Sequence, residues 1–194
     1  MQPVIDQPIN NTRARILISA CLMGEAVRYD GKDKRLEHPR LTQWQREKRI
    51  VPICPECAGG LATPRNPAEI MGHGPQSASG LMVLHHNAQV IDTEGNDLSN
   101  AFVAGAHHAL ALAKKWHIKL AVLKENSPSC GSQRIYDGSF SGQTRAGSGV
   151  TAALLVSAGL HVFNEHQLEE AHAALMRLDH LGQACAPSPH KQHG

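Results

Sequence analysis

The chain has 194 residues, 41% of them hydrophobic, and a formal net charge of +2 from 19 Lys and Arg against 17 Asp and Glu. That length supports one well-buried core and argues against two independent domains. The balanced charge excludes the polycationic surface of a sequence-independent nucleic-acid binder, and no continuous apolar stretch precedes the first predicted strand, so neither a secretory signal nor a membrane anchor is expected.

After a polar leader, residues 1–13, the run from Arg15 to Ala20 reads as a strand entering Cys21-Leu22-Met23-Gly24, and Arg28 to Lys32 reads as a turn. His38 to Lys48 predicts a short helix before a strand over Ile50 to Ile53. Between Cys54 and Gly80 lies a long stretch rich in Gly and Pro, expected to be irregular and functional. Leu81–Leu84 and Gln89–Ile91 are predicted to pair as a small hairpin. Ser99 to His117 has the clearest helical period, with Leu98, Phe102, Ala106, Ala109, Leu110, Ala113 and Trp116 on one face and Ser99 or Asn100 as the cap. It feeds a strand ending at Leu123. Beyond Cys130, Arg134 to Phe140 resembles a hairpin arm and turn, and Gly147-Ser148-Gly149 opens a helix running through Ala158. His161 to Phe163 is a predicted strand, Gln167 to Leu178 a last helix, and 182–194 a flexible tail. This alternation predicts a single α/β domain over 14–181, with a doubly wound, mostly parallel sheet, helices on both faces and a small hairpin insertion.

Cys21, Cys54 and Cys130 each follow one of the apolar runs by one to a few residues. If those strands are parallel, their carboxyl ends form the rim where open α/β sheets bind ligands. Three thiolates and no obvious fourth suit an iron–sulfur cluster with one open iron, because a closed structural site fills all four positions. A lone free cysteine is usually a small buried apolar residue, but three at equivalent strand ends are not so easily dismissed. Five cysteines without a signal peptide also point to a reducing cytoplasm. Two other readings stand beside the cluster. Cys54-Pro55-Glu56-Cys57 resembles a thiol–disulfide redox motif, although Ala58-Gly59-Gly60-Leu61 argues against the helix that would lower the Cys54 pKa. A structural zinc site is the other, with His73, His85 and His86 as candidates to complete it. The non-catalytic versions of both metal readings are binding modules rather than enzymes.

Glu56 lies two residues from Cys54, within reach of whatever that thiol binds and able to take a proton from an attacking water. Ser127 and Ser129 flank Pro128 before Cys130, where hydroxyls orient a substrate or simply form a turn. Gly147-Ser148-Gly149 offers backbone N–H groups at a helix start to an anion or carbonyl. Arg28, Lys32, Arg65, Arg134 and Arg145 all fall in predicted loops, either guiding an anionic ligand or forming an ordinary solvated surface.

Ile18-Ser19-Ala20-Cys21-Leu22-Met23-Gly24, Arg28-Tyr29-Asp30-Gly31, Pro52-Ile53-Cys54-Pro55-Glu56, Gly59-Gly60-Leu61, Thr63-Pro64-Arg65, Leu123-Lys124 and Ser127-Pro128-Ser129-Cys130-Gly131 occur in that order. Together they closely resemble the thiouracil desulfidase family over about residues 14 to 160. The resemblance implies a [4Fe-4S] cluster on Cys21, Cys54 and Cys130 with its fourth iron free for substrate sulfur, and catalytic roles for Glu56 and Ser127. It implies non-redox removal of sulfur from a thiolated pyrimidine such as thiouracil, giving uracil and sulfide, and relatives that handle thiolated nucleosides, some within transfer RNA. Neutral overall charge disfavours a large RNA footprint, yet a local patch of Arg28, Arg65 and Arg145 would serve thiolated RNA through a phosphate or two. Many relatives carry a cysteine where this chain has Val27 and an apolar residue where it has Cys57, so Cys57 is either a replacement ligand or a spectator.

Overall fold

A computed structural model describes residues 13–72 and 78–184 of the chain. The expected leader, apart from Arg13, and the tail beyond Ala184 lie outside the described residues, as does His73. In chain order come β1 (Ile16–Ser19), a 3-10 turn (Ala20–Met23), α1 (Pro39–Arg46), β2 (Ile50–Ile53), α2 (Pro55–Ala58), β3 (Ala68–Gly72), α3 (Gly80–Leu84) and β4 (Ala88–Asp92). Then follow α4 (Ser99–Lys115), β5 (Leu120–Leu123), β6 (Arg134–Tyr136), β7 (Thr144–Ala146), α5 (Val150–Ser157), β8 (His161–Asn164) and α6 (Leu168–Ala184).

The main sheet has the order β2-β1-β5-β8, and every pair in it is parallel. Strands buried on both faces read as continuous apolar runs, which is why β1 and β5 were visible as Ile16-Leu17-Ile18 and Leu120-Ala121-Val122-Leu123, all 0% exposed. Alternation sends Ile16, Ile18, Leu120 and Val122 toward Leu41 and Trp44 of α1 and Leu175 of α6. Leu17, Ala121 and Leu123 face the other way, onto Ala109 and Ala113 of α4 and Leu155 of α5. Helices therefore cover both faces. Because the chain leaves β1 over one face and reaches β5 over the other, the β1/β5 boundary is the switch point at which such sheets bind ligands.

Two antiparallel pairs stand apart from this sheet. The β6–β7 hairpin matches the expected arm, with Arg134 opposite Ala146 and Tyr136 opposite Thr144. The other pair is β3 with β4, so the expected hairpin between Leu81–Leu84 and Gln89–Ile91 does not form. Ser79 caps Gly80–Leu84 by accepting from Met82 N, and the run becomes a helical turn; an apolar stretch of that length is ambiguous by period alone. The region expected to be irregular thus carries both α2 and β3.

The α4 helix also departs from its predicted cap and face. Ser99 is its first residue, and the Ser99 hydroxyl accepts from Val90 N of β4 instead of capping. Trp116 lies beyond the helix end at 41% exposure, with the Arg15 guanidinium 4.1 Å from its ring centre.

Close backbone approach places α2 against α4. A Cβ on Gly105 would stand 2.0 Å from the Pro55 carbonyl oxygen, and one on Gly59 would stand 2.1 Å from the Ala101 carbonyl oxygen. Glycine at both positions lets the turn bearing Cys54 and Glu56 lie flat on the long helix. Gly105→Ala is expected to lower stability by about 1–3 kcal/mol, because α2 must move away. A thermal melt checks the effect.

Candidate functional site

The ends of three adjacent parallel strands deliver the three cysteines. Cys21 sits in the 3-10 turn after β1, Cys54 is the residue between β2 and α2, and Cys130 follows β5 by a loop. All three line one cavity of about 540 Å³, together with Glu56 and Ser127, a volume suited to a small-molecule ligand.

The Cys130 loop is held from both sides. Glu125, 7% exposed, accepts from Ser132 N, Gln133 N and Arg134 N and from the Ser132 hydroxyl. Burial acts to raise the Glu125 carboxyl, but the hydrogen bonds from Arg134, Gln133 and Ser132 outweigh it and hold its pKa below the ordinary value. On the other side, the first N–H groups of α5 meet carbonyls of this loop: Val150 N donates to Pro128 O, and Thr151 N and Ala152 N donate to Ser129 O. Gly149 N donates to Gly131 O. The glycine-flanked helix start therefore serves the Cys130 loop rather than an external anion, since its donors are already used.

Glu56 and Ser127 meet across 71 residues of sequence, with the Ser127 hydroxyl donating to Glu56 Oε1 at 3.2 Å. Ser127 Oγ in turn accepts from Ser129 N at 3.0 Å and Cys130 N at 3.1 Å. Two N–H donors on that oxygen leave its one proton to point at the carboxylate. Glu56 Oε2 is taken by Arg65, whose Nε lies 3.1 Å away and whose terminal nitrogen forms a close ion pair with the same oxygen. The carboxylate is thus fixed in its plane, with one oxygen for the guanidinium and the other for the serine.

Burial dominates the electrostatics of the thiols. It pushes Cys21 up to about 11, the neighbouring Cys54 adding to this while Lys124 and Arg28 oppose it. Cys54 is pushed up to about 12 by burial, against a backbone hydrogen bond from Cys57 and with help from Cys130 and Glu56. Burial likewise raises Cys130 to about 12, the Ser19 hydroxyl opposing it and Glu56 and Cys21 adding. Each of the three thiols feels another of the set, so they converge electrostatically as well as by position. Thiols this reluctant to ionise are poor redox nucleophiles. The objection raised from sequence against a helix after Cys54 does not hold, because Pro55 starts one turn of helix there and Gly59 and Gly60 only end it. Burial that raises Cys54 slows it as a redox nucleophile, whereas a bound metal displaces the proton and relieves the same penalty.

Cys57 neighbours one member of the triad, hydrogen-bonding Cys54, whose sulfur stands 3.8 Å from the Val27 carbonyl. Cys57 does not line the cavity, and its sulfur stands 3.7 Å from the Val27 carbonyl and 3.5 Å from the Thr63 hydroxyl. His85 and His86 are exposed at the end of α3 and do not line the cavity either. Of the basic residues singled out, Arg28 and Arg65 line it, whereas Arg134 bonds Thr144 on the hairpin and Arg145 donates to the Ala78 carbonyl. Lys34 and Lys124 line it unforeseen, Lys124 paired with Glu165. Lys124 had one signal in sequence, the Leu123-Lys124 pair at the end of a strand, and Lys34 had none.

The family model described as 2-thiouracil desulfurase matches residues 16–167. The chain belongs to this family. Similar to this desulfurase-family chain is an uncharacterized protein of Bacillus subtilis (strain 168), YbbK, 44% identical over 155 residues that cover 80% of this chain and 98% of that one. A solved structure described as a [4Fe-4S]-dependent thiouracil desulfidase, TudS, is 43% identical with a TM-score of 0.75, and covers 85% of this chain and 99% of its own. Among the described residues no helix is long and apolar enough to cross a membrane.

Proposed function

We propose that this chain removes sulfur from a thiolated pyrimidine such as thiouracil, giving uracil and sulfide by hydrolysis, and that Cys21, Cys54 and Cys130 hold a [4Fe-4S] cluster for the purpose. The observation that carries this reading is the convergence of the three thiols with the Glu56–Ser127 pair in one cavity. The donor set fits such a cluster. Among the described residues no three His, Cys, Asp or Glu groups close around a single metal ion, as a zinc site requires. A cubane instead spreads its cysteines over different irons, and soft thiolates favour iron–sulfur centres over hard cations.

When bound through three protein thiolates, such a cluster supplies one Lewis-acidic iron open to a soft thiocarbonyl sulfur, which makes the attached ring carbon electrophilic. The chain's own residues then handle the protons. Glu56 Oε1 takes the proton of a water whose oxygen attacks that carbon. Ser127, donating to the same oxygen, positions the carboxylate, and Glu56 gives the proton to the sulfur as the carbon–sulfur bond breaks and sulfide departs. Arg65 keeps the carboxylate turned toward the serine throughout. Oxygen has replaced sulfur with no electron gained or lost, so no electron donor is required.

Anaerobic reconstitution with iron and sulfide, followed by thiouracil without a reductant, is expected to yield uracil and sulfide in equal amounts. A coloured protein that releases no sulfide contradicts the enzyme, and a colourless zinc protein contradicts the cluster. Cys57→Ser is expected to keep both the visible absorbance and the turnover of the wild type, since Cys57 stands outside the cavity. Loss of the cluster in that variant makes Cys57 a ligand and removes the open iron.

A further inference from the structure

Of the three Phe, two Tyr and two Trp in the chain, two Phe and both Tyr line the cavity. Phe102 is 1% exposed and belongs to the core, but Phe140 is 38% exposed between the strands of the β6–β7 hairpin, and Tyr136 is half-buried at the end of β6. Phe140 also has φ +56°, a left-handed backbone that is rare for a bulky residue. An aromatic ring left partly in water, on a backbone that resists it, is unfavourable twice over.

Glu69 of β3 holds it there. This carboxylate is 6% exposed and lines the cavity, and its Oε2 accepts from Gly138 N at 2.8 Å and Phe140 N at 3.2 Å. Gly138 passes so close to β3 that a Cβ on it would stand 2.9 Å from the Ile70 carbonyl oxygen, and its φ of +93° suits glycine alone. Hydrogen bonds to a carboxylate are among the stronger ones, so the turn is clamped onto β3. The proton chemistry above uses neither Glu69 nor the hairpin.

We propose that Phe140 and Tyr136 form the aromatic face against which the pyrimidine ring of the substrate lies, and that Glu69 is the positioning residue that sets this face. The inference rests on the thiopyrimidine reading of the site. Stacking on a ring face recognises any flat pyrimidine, whatever its exocyclic atom, so it supplies grip and orientation while the sulfur is read elsewhere in the cavity.

The test is steady-state kinetics with thiouracil on cluster-loaded protein, with amide hydrogen exchange on the same preparations. Phe140→Ala is expected to raise KM about tenfold, the scale of one lost base stack, and to leave kcat within about twofold; Phe140→Tyr restores the wild-type KM. Glu69→Ala is expected to raise KM likewise and to speed exchange at Gly138 and Phe140, whereas Glu69→Gln keeps an acceptor oxygen and largely preserves both. Unchanged KM in Phe140→Ala, when the wild type turns over thiouracil, overturns this inference and leaves the desulfidase reading standing. Unchanged exchange in Glu69→Ala removes Glu69 from the positioning role. A cluster-loaded wild type that releases no sulfide overturns the desulfidase reading and this inference with it. The Phe140 variants change only a half-exposed tip residue, so they decide the matter even if Glu69→Ala fails to fold.

Discussion

Glu56→Gln is expected to lower turnover by about 10²- to 10⁴-fold, the usual contribution of a positioned general base, while the visible absorbance of the cluster stays at the wild-type level. Gln keeps an oxygen for the Ser127 hydroxyl but has no charge to receive a proton. It also leaves Arg65, whose side chain is 9% exposed, without its counter-charge, so the thermal midpoint falls as well. Activity must therefore be expressed per cluster-loaded chain. Turnover at the wild-type rate in Glu56→Gln removes the carboxylate from the base role and shifts the proton transfer to another group. Ser127→Ala is the natural companion, because the Ser127 oxygen also holds the N–H groups of Ser129 and Cys130 and so ties Glu56 to the Cys130 loop.

Replacement of Cys21, Cys54 or Cys130 by Ser is expected to abolish cluster binding and turnover together. Each change leaves two soft donors where the proposed cluster has three, and serine oxygen is a poor match for iron that prefers sulfur. The substitutions are nearly isosteric, and Cys21 and Cys130 are only 8% and 5% exposed, so the fold is expected to survive. Circular dichroism with iron and sulfide content measured on each variant separates loss of the ligand from loss of structure. A serine variant that retains the full cluster removes that residue from the ligand set.

The sheet was legible because its strands are buried on both faces, and such strands leave unbroken apolar runs at β1 and β5. The convergence of Cys21, Cys54 and Cys130 on one cavity was legible for the same reason, each cysteine being marked by the strand before it. Shorter segments were not. Leu81–Leu84 has the composition of a strand, but Ser79 caps it as a helical turn, and no four-residue apolar period separates the two. The glycines after Cys57 suggested a broken helix and turned out to end one turn of it, on the close approach to α4. The partners of the Glu56–Ser127 pair were legible only in part: Arg65 appeared among five loop cations and in Thr63-Pro64-Arg65, with nothing in the sequence to single out its contact with Glu56. Least legible was the Glu69–Phe140 contact, which spans 71 residues and joins a strand in the stretch read as irregular to a hairpin turn. Pairings over such distances are set by packing, and no local pattern records them.

In the proposed reaction three cysteines leave one iron open for the substrate's sulfur, and Mössbauer spectroscopy of protein reconstituted with ⁵⁷Fe observes that iron itself. On adding thiouracil anaerobically, about one quarter of the iron signal is expected to shift, as for one site among the four of a cubane, in wild type and Cys57→Ser alike. A spectrum that thiouracil leaves unchanged, in protein with a full complement of iron, contradicts the open site.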